Sequence, residues 1–281
     1  MMPLEAQANQ LFELFCTPAA RDTSAKALRV LDSARRVAIS HQQILEWPAM
    51  NRPPITLMGY VWDATRSNAD DTNDTPTILL AHGWELQAGR MGAFVRPLLD
   101  AGFGVAALDF PAHGQSEGNQ ATMLDWAAAL KNTIQQIGNV KTIVGHSFGG
   151  MSAAWLLGHE PNLGIQKLVI IASASDVEFL VSSAPLMQDA APEQVQALRE
   201  AFRARVKRWP AEFDAVQAAA NLNFPVLVVH DARDPIVPFA HGEAFVRAIP
   251  NARLLATTGL GHTAVLRDAA AVSAVVAFLA V

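Results

Sequence analysis

One cysteine in 281 residues leaves little for cysteine chemistry to do. Cys16 alone can form neither an intramolecular disulfide nor a cysteine-based zinc cluster, so it reads as a small hydrophobe on an N-terminal helix. Charge is scarce as well. Lys, Arg, Asp and Glu make up 17% of the residues, the formal net charge is −5, and no long run of Lys or Arg occurs. A chain without a basic face offers nothing to a phosphate backbone, so no nucleic-acid partner is expected. The G-x-x-x-x-G-K-[ST] motif is missing, and no G-x-G-x-x-G follows a strand pattern, which argues against nucleotide binding. The start, Met1-Met2-Pro3-Leu4-Glu5, lacks the basic-then-apolar layout of a signal peptide. The most apolar stretch, 269–281, is about thirteen residues and too short to span a bilayer. These absences make a cytoplasmic protein without stable membrane association the expectation.

What is present is core-forming material. A hydrophobic share of 51% suits one large domain, with or without an inserted lid. Apolar residues at Leu4, Ala8, Leu11, Phe12 and Phe15 have helical spacing. A second such pattern, at Ala27, Leu28, Leu31, Ala34, Val37 and Ala38, follows the capping residues Thr23 and Ser24. Residues 1–42 are therefore expected to form an N-terminal helical segment. Covering a sheet edge and contributing to a homodimer are two uses open to it; plain packing is the simplest. Strands are expected at 43–47 and 57–63. The polar stretch 65–76 reads as a loop. Its Asp70, Asp71 and Asp74 lack the glycine and distal glutamate of a calcium loop and read as a solvated turn.

From Pro76 onward, apolar runs at 77–81, 105–109, 142–145, 167–172, 226–230 and 253–257 alternate with helical patterns at 92–101, 123–137 and 151–158. That rhythm predicts an α/β fold with a mostly parallel central sheet flanked by helices. The core is expected over 43–173 and 225–281. Between them, 174–224 breaks the rhythm. Pro192 opens one helical pattern (Val195, Leu198, Phe202, Val206) and Pro210 another (Phe213, Val216, Ala220). A small helical lid is predicted there, with an enlarged crossover as the plainer alternative.

Ligands of parallel sheets bind beyond the C-terminal ends of the strands, and the chemical signals fall there. Gly145-His146-Ser147-Phe148-Gly149 follows the run 142–144 and opens a helix. Small residues on both sides let a sharp turn expose the hydroxyl, which makes Ser147 the candidate nucleophile. A serine needs a base. His262, in a glycine loop after the last predicted strand, stands last in the order Ser…Asp…His. The orienting acid is expected at Asp234, with Asp231 as the competitor; Asp234 lies farther into its loop and reaches farther. His82-Gly83-Trp84-Glu85 follows the strand 77–81. The main-chain N–H groups of Trp84 and Phe148 are candidate oxyanion donors. The Trp84 ring either lines an acyl pocket or packs under its loop, while His82 and Glu85 are expected to fix the loop by hydrogen bonds.

In these motifs, from about residue 43 to 281, the chain resembles the α/β-hydrolase superfamily. The resemblance rests on the 82–83 loop, on Asp109-Phe110-Pro111-Ala112-His113-Gly114-Gln115-Ser116, on the elbow at 145–149, and on the Asp234 and His262 segments. It implies a structural role for 109–116, His113 included, as the turn after the fourth strand. A serine at the elbow, where hydrolytic dehalogenases and epoxide hydrolases of this fold carry aspartate, disfavours those chemistries. A His-Gly-Gly-Gly run, found in one large lipase and esterase group, is missing. The implied function is hydrolysis of a carboxylic ester through a covalent acyl-enzyme, without metal or cofactor, on a small-molecule acyl substrate. Apolar residues of the lid, Phe179, Leu180, Leu186, Met187, Phe202 and Phe213, suggest a moderately hydrophobic acyl part; Phe179, Leu186, Met187 and Phe202, with Trp84, are the candidate substrate-binding residues. Thioester, C–C bond and peptide hydrolysis and perhydrolysis could use the same residues. A non-catalytic small-molecule receptor on the same scaffold is the alternative from another class.

Overall fold

The computed structural model describes residues 4–19, 21–22, 24–41, 54–64, 75–184, 187 and 189–281. Helices α1 (Leu4–Cys16) and α2 (Ala25–Leu31) precede strands β1 (Arg35–His41) and β2 (Ile55–Trp62). Strands and helices then alternate: β3 (Thr77–Ala81), α3 (Val95–Asp100), β4 (Gly104–Leu108), α4 (Met123–Ile137), β5 (Val140–His146), α5 (Phe148–His159) and β6 (Lys167–Ile171). The described residues that follow hold α6 (Val177–Ser183), α7 (Pro192–Val206) and α8 (Ala215–Ala219). The chain then runs through β7 (Val226–Asp231), α9 (Phe239–Ala248), β8 (Ala252–Thr257), α10 (Gly261–Ala264) and α11 (Ala269–Ala280).

The strands form one sheet in the order β1-β2-β4-β3-β5-β6-β7-β8. It is antiparallel from β1 to β4 and parallel from β4 to β8. The period of two divides each strand between two apolar layers. Leu79, Ala106, Leu108 and Ile143 face the side that holds Trp126 of α4 and Trp155 of α5. Ile78, Leu80, Val105, Ala107 and Val144 face the side that holds Leu98 of α3 and Val275 and Leu279 of α11. Helices on both faces explain why the central strands are nearly continuous apolar runs.

Two expectations about the first forty residues need correction. The second helix ends at Leu31, and 35–41 is the edge strand β1, inside the segment expected to be helical. Ala34, Val37 and Ala38 fit helical spacing, but Ile39 and His41 are buried while Ser40 between them is exposed, so the chain follows the strand period instead. The strand expected at 43–47 and the acidic residues Asp70, Asp71 and Asp74 lie outside the described residues. Within 174–224, the pattern after Pro210 splits. A 3₁₀ turn, Pro210–Glu212, precedes α8, which Asp214 caps by accepting the Gln217 N–H at 2.8 Å.

The helix α7 buries Ala197, Leu198, Ala201, Phe202 and Val206 along one stripe. Its partner is the N-terminal helix: the Phe202 ring lies edge-on to Phe12 at 5.0 Å and to Phe15 at 5.4 Å. Arg205 pairs with Glu13 and lies over the Phe12 ring. Among the described residues no single helix is long and apolar enough to cross a membrane. Phe202 is 2% exposed, so removing its ring leaves a cavity between α1 and α7. Phe202→Ala is expected to lower the unfolding free energy by about 3–5 kcal/mol in a urea titration. A loss below about 1 kcal/mol would mean that the α1–α7 contact carries little of the stability.

Candidate active site

Strand β5 delivers Ser147 to the turn between strand and helix, and the backbone there is strained. Ser147 has φ 52° and ψ −121°, a conformation that L-residues rarely adopt and that persists only when neighbours over-determine it. Those neighbours can be named. The Ser147 N–H donates to the Ile171 carbonyl at 2.8 Å and its own carbonyl accepts from Met151 at 3.0 Å. A Cβ on Gly149 would overlap the His82 carbonyl oxygen, and one on Gly145 would overlap Gly150, so only glycine lets these segments close up. Helix α5 starts at Phe148, so the Phe148 N–H belongs to the first turn, whose amides have no partner within the helix.

The three residues expected to act together do meet. His262 Nε2 is 3.1 Å from Ser147 Oγ, and His262 Nδ1 is 2.8 Å from Asp234 Oδ2. With Nδ1–H donating to the carboxylate, Nε2 is left as an acceptor for the serine proton. Asp234 Oδ1 accepts the N–H groups of Ile236 (2.8 Å) and Val237 (3.0 Å), so the carboxylate cannot swing away. Burial raises its pKa. The hydrogen bonds from the His262 imidazole and the Val237 amide outweigh that effect and hold it below the ordinary carboxylate value.

Asp231, the competitor, is otherwise engaged. It accepts from Thr257 Oγ1 (2.8 Å) and from the amides of Leu260 (2.9 Å), Arg233 (2.9 Å) and Gly259 (3.1 Å). It therefore ties β7 to the loop that carries His262. His146, a residue given no role from sequence, backs the same loop: its Nε2 lies 2.9 Å from the His262 carbonyl. Burial, with His262 adjacent, pushes the His146 pKa down to about 3, so it serves as a neutral donor.

The His82–Glu85 loop faces the serine. A Cβ on Gly83 would stand 3.0 Å from Ser147 Cβ and 2.9 Å from His146 Nδ1, which measures how near this loop comes. Trp84 follows in a turn closed by the Leu86 N–H on the Gly83 carbonyl at 3.2 Å. His82 is fully buried, with Nδ1 on the Gly83 carbonyl at 2.7 Å and Nε2 accepting the Phe110 N–H at 3.2 Å. Burial lowers its pKa to about 4. His113 is likewise fixed, Nδ1 on the Pro111 carbonyl at 2.9 Å, with burial lowering its pKa to about 3. Its ring packs edge-on to Trp84 at 4.8 Å. Trp84 in turn lies edge-on to Phe148 at 5.6 Å and stacked over Trp126 at 6.1 Å. The half-buried Trp84 ring thus packs under its loop and borders Ser147 through Phe148.

The other pocket candidates divide. Phe179, half-buried on α6, packs on His241 at 4.3 Å, and Met187 is buried in the same apolar layer as Trp126. Phe202 faces α1, away from the role expected of it: an apolar residue on an amphipathic helix is buried, but the pattern does not say against what. Leu186 lies outside the described residues. Among the described residues no group of three or more His, Cys, Asp or Glu side chains is placed to hold a metal ion.

A family model described as "Alpha/beta hydrolase family" matches residues 78–275. The bifunctional esterase/perhydrolase DCH of Acinetobacter calcoaceticus is 25% identical over 263 residues, covering 73% of this chain and 93% of that one. The monoacylglycerol lipase of Mycolicibacterium smegmatis is 28% identical over 214 residues, covering 63% of this chain and 76% of its own. Among solved structures, Est1E from Butyrivibrio proteoclasticus with bound ferulic acid shares the fold, with a TM-score of 0.63 and 21% identity over 80% of this chain and 94% of that one.

The Asp231 contacts carry a pH signature. Burial works against its ionisation, yet the bonds from Leu260, Thr257 and Arg233 hold its pKa far below the ordinary value. A depressed carboxylate stabilises the fold above the unfolded-state pKa, about 3.9, and that contribution fades as the pH falls further. Asp231→Asn is therefore expected to be less stable than wild type at pH 7, with a smaller gap at pH 3. Equal gaps in denaturant titrations at both pH values would contradict the assignment.

Proposed function

Because the chain belongs to the α/β-hydrolase family, we propose that it is a serine hydrolase that cleaves a carboxylic ester through a covalent acyl-enzyme. The observation that carries this reading is the line from Asp234 through His262 to Ser147, with bonds of 2.8 and 3.1 Å, ending on a strained turn at a helix N-terminus. Ser147 Oγ attacks the ester carbonyl carbon while its proton passes to His262 Nε2. Asp234 stays ionised and stabilises the imidazolium. The main-chain N–H groups of Trp84 and Phe148 receive the oxyanion, each contributing on the order of 3 kcal/mol in the transition state. Collapse expels the alcohol, which takes the proton from His262. Water then attacks the acyl carbon and gives a proton to His262. The second oxyanion collapses, Ser147 regains its proton and the carboxylic acid leaves.

The half-buried rings of Trp84 and Phe148, edge-on to one another beside Ser147, support a small-molecule substrate with a moderately hydrophobic acyl part. A second reading has one observation in its favour. The relative from Acinetobacter calcoaceticus is named as both esterase and perhydrolase. Hydrogen peroxide in place of water at the second step would give a peroxy acid with the same residues.

Hydrolysis of a p-nitrophenyl ester series, acetate to long-chain, tests the proposal directly. Turnover is expected from wild type and none above background from Ser147→Ala. Asp234→Asn should lower kcat by about 10³- to 10⁴-fold, and Asp231→Asn far less. Undiminished turnover by Ser147→Ala would falsify the serine mechanism.

A further inference from the structure

A dense set of long-range polar contacts lies where the first part of the chain meets the loops beside Ser147. The Ala19 N–H donates to Glu85 Oε1 at 2.8 Å, across 66 residues. Glu85 stands at φ 59°, in the left-handed region, immediately after Trp84. Arg21 forks onto the neighbouring loop. Its Nη1 donates to the carbonyls of Gly114 (2.9 Å) and Ser116 (2.7 Å), and its Nη2 to that of Gly118 (2.7 Å). Asp22 closes the set: its carboxylate holds Arg90 through Nε (2.5 Å) and Nη2 (3.1 Å), and its carbonyl accepts Gln87 Nε2 at 2.8 Å. Ala19, Arg21 and Asp22 thus grip residues 85–90 on one side and 114–118 on the other. The Trp84 ring packs between these loops, against His113. The grip is itself anchored, because the Cys16 carbonyl at the end of α1 accepts the Ala121 N–H ahead of α4 at 2.9 Å.

We propose that Ala19, Arg21 and Asp22 form a strap that aligns the oxyanion loop on Ser147, with Glu85 and Arg21 as positioning residues. The inference rests on the serine-hydrolase reading above. The physical argument is one of tolerance. An oxyanion donor works only when aimed within a few tenths of an ångström of where the charge develops. The Trp84 N–H comes from a turn whose next residue, Glu85, stands in the left-handed region that L-residues adopt uncommonly. Such a turn keeps its aim when its carboxylate is held from outside, and Ala19 is what holds it. Arg21 does the same for the loop that backs the Trp84 ring, through a planar fork that reaches three carbonyls and that a single point charge could not copy.

The full-length protein is tested as wild type, Glu85→Ala, Glu85→Gln and Arg21→Ala. The readouts are kcat and KM on p-nitrophenyl butyrate and the rate of Ser147 labelling by a fluorophosphonate. Glu85→Ala and Arg21→Ala should lower kcat and the labelling rate about tenfold with KM within about twofold, because the lost alignment matters in the transition state. Glu85→Gln should stay near wild type, since its amide oxygen still accepts the Ala19 N–H. Wild-type rates in a folded Glu85→Ala, or a loss that Glu85→Gln shares in full, would overturn the strap; so would a change confined to KM. Should Arg21→Ala fail to fold, the exposed Glu85 pair decides alone. A wild type that hydrolyses no ester and is not labelled overturns the serine reading itself, a result distinct from normal labelling in the variants.

Discussion

The conformation of Ser147 is a constraint that the surrounding chain has to meet. A serine at φ 52° relaxes unless its neighbours forbid it, and here they do so from three directions. The Ile171 carbonyl at the end of β6 holds its N–H, and the first turn of α5 holds its carbonyl. The loop after β3 closes over Gly149 so tightly that no side chain fits. Each hold comes from a different element, and those elements are fixed by the sheet, where β5 lies between β3 and β6. The helix α5 buries residues around its whole circumference, Met151 and Trp155 on one layer with Ala153, Ala154 and Leu157. A helix embedded in this way cannot rotate to release the turn. The two apolar layers are therefore the reason that a strained hydroxyl can be presented at a fixed place.

Scarce charge shapes the rest of the site. Two aspartates close together at the end of β7 would compete for the histidine if both were free. The structure separates them by giving Asp231 four donors of its own and leaving Asp234 one oxygen for His262. Asp231 thereby sets where the His262 loop lies, and Asp234 sets how the imidazole turns. Three further histidines, His82, His113 and His146, are buried and held neutral. Each uses a ring nitrogen on a backbone carbonyl: Gly83, Pro111 and His262 respectively. They act as rigid wedges with a directed hydrogen bond, a role that the larger, wetter side chains of a charged site could not fill.

What the sequence disclosed about the site is what local pattern can encode. The elbow combines a strand run with glycines at fixed offsets, and the order of Ser147, Asp234 and His262 follows the strands that carry them. The alternation after Pro76 prescribes a parallel sheet because both faces of each strand must be apolar. Elsewhere the pattern was ambiguous for physical reasons. Ala34, Val37 and Ala38 satisfy a helical period while 37–41 satisfies a strand period, and only pairing with β2 decides between them. Phe202 was legible as buried, but its partners, Phe12 and Phe15, lie nearly two hundred positions away and leave no local mark. The His146 contact with the His262 backbone has the same character: a side chain meeting a carbonyl imposes no residue type on the far partner.

That last point bears on the N-terminal segment, which was the least readable part of the chain. Its apolar periodicity announced a helix and nothing about its use. In the structure, α1 buries Phe12 and Cys16 in the same apolar layer as Phe202, Val206 and Trp126, so it completes the layer that α4, α5 and α7 share. The helices inserted between β6 and β7 are consequently not a freestanding flap, since α7 takes its footing on α1. The residues that follow α1 reach the loops beside Ser147 through two backbone atoms, the Ala19 N–H and the Asp22 carbonyl, and through the Arg21 guanidinium and the Asp22 carboxylate. The backbone contacts prescribe no side chain, and those of Arg21 and Asp22 end on carbonyls and an arginine far along the chain, where no local pattern records them. Its sequence therefore says little, even though α7 and the loops at 85–90 and 114–118 all contact it.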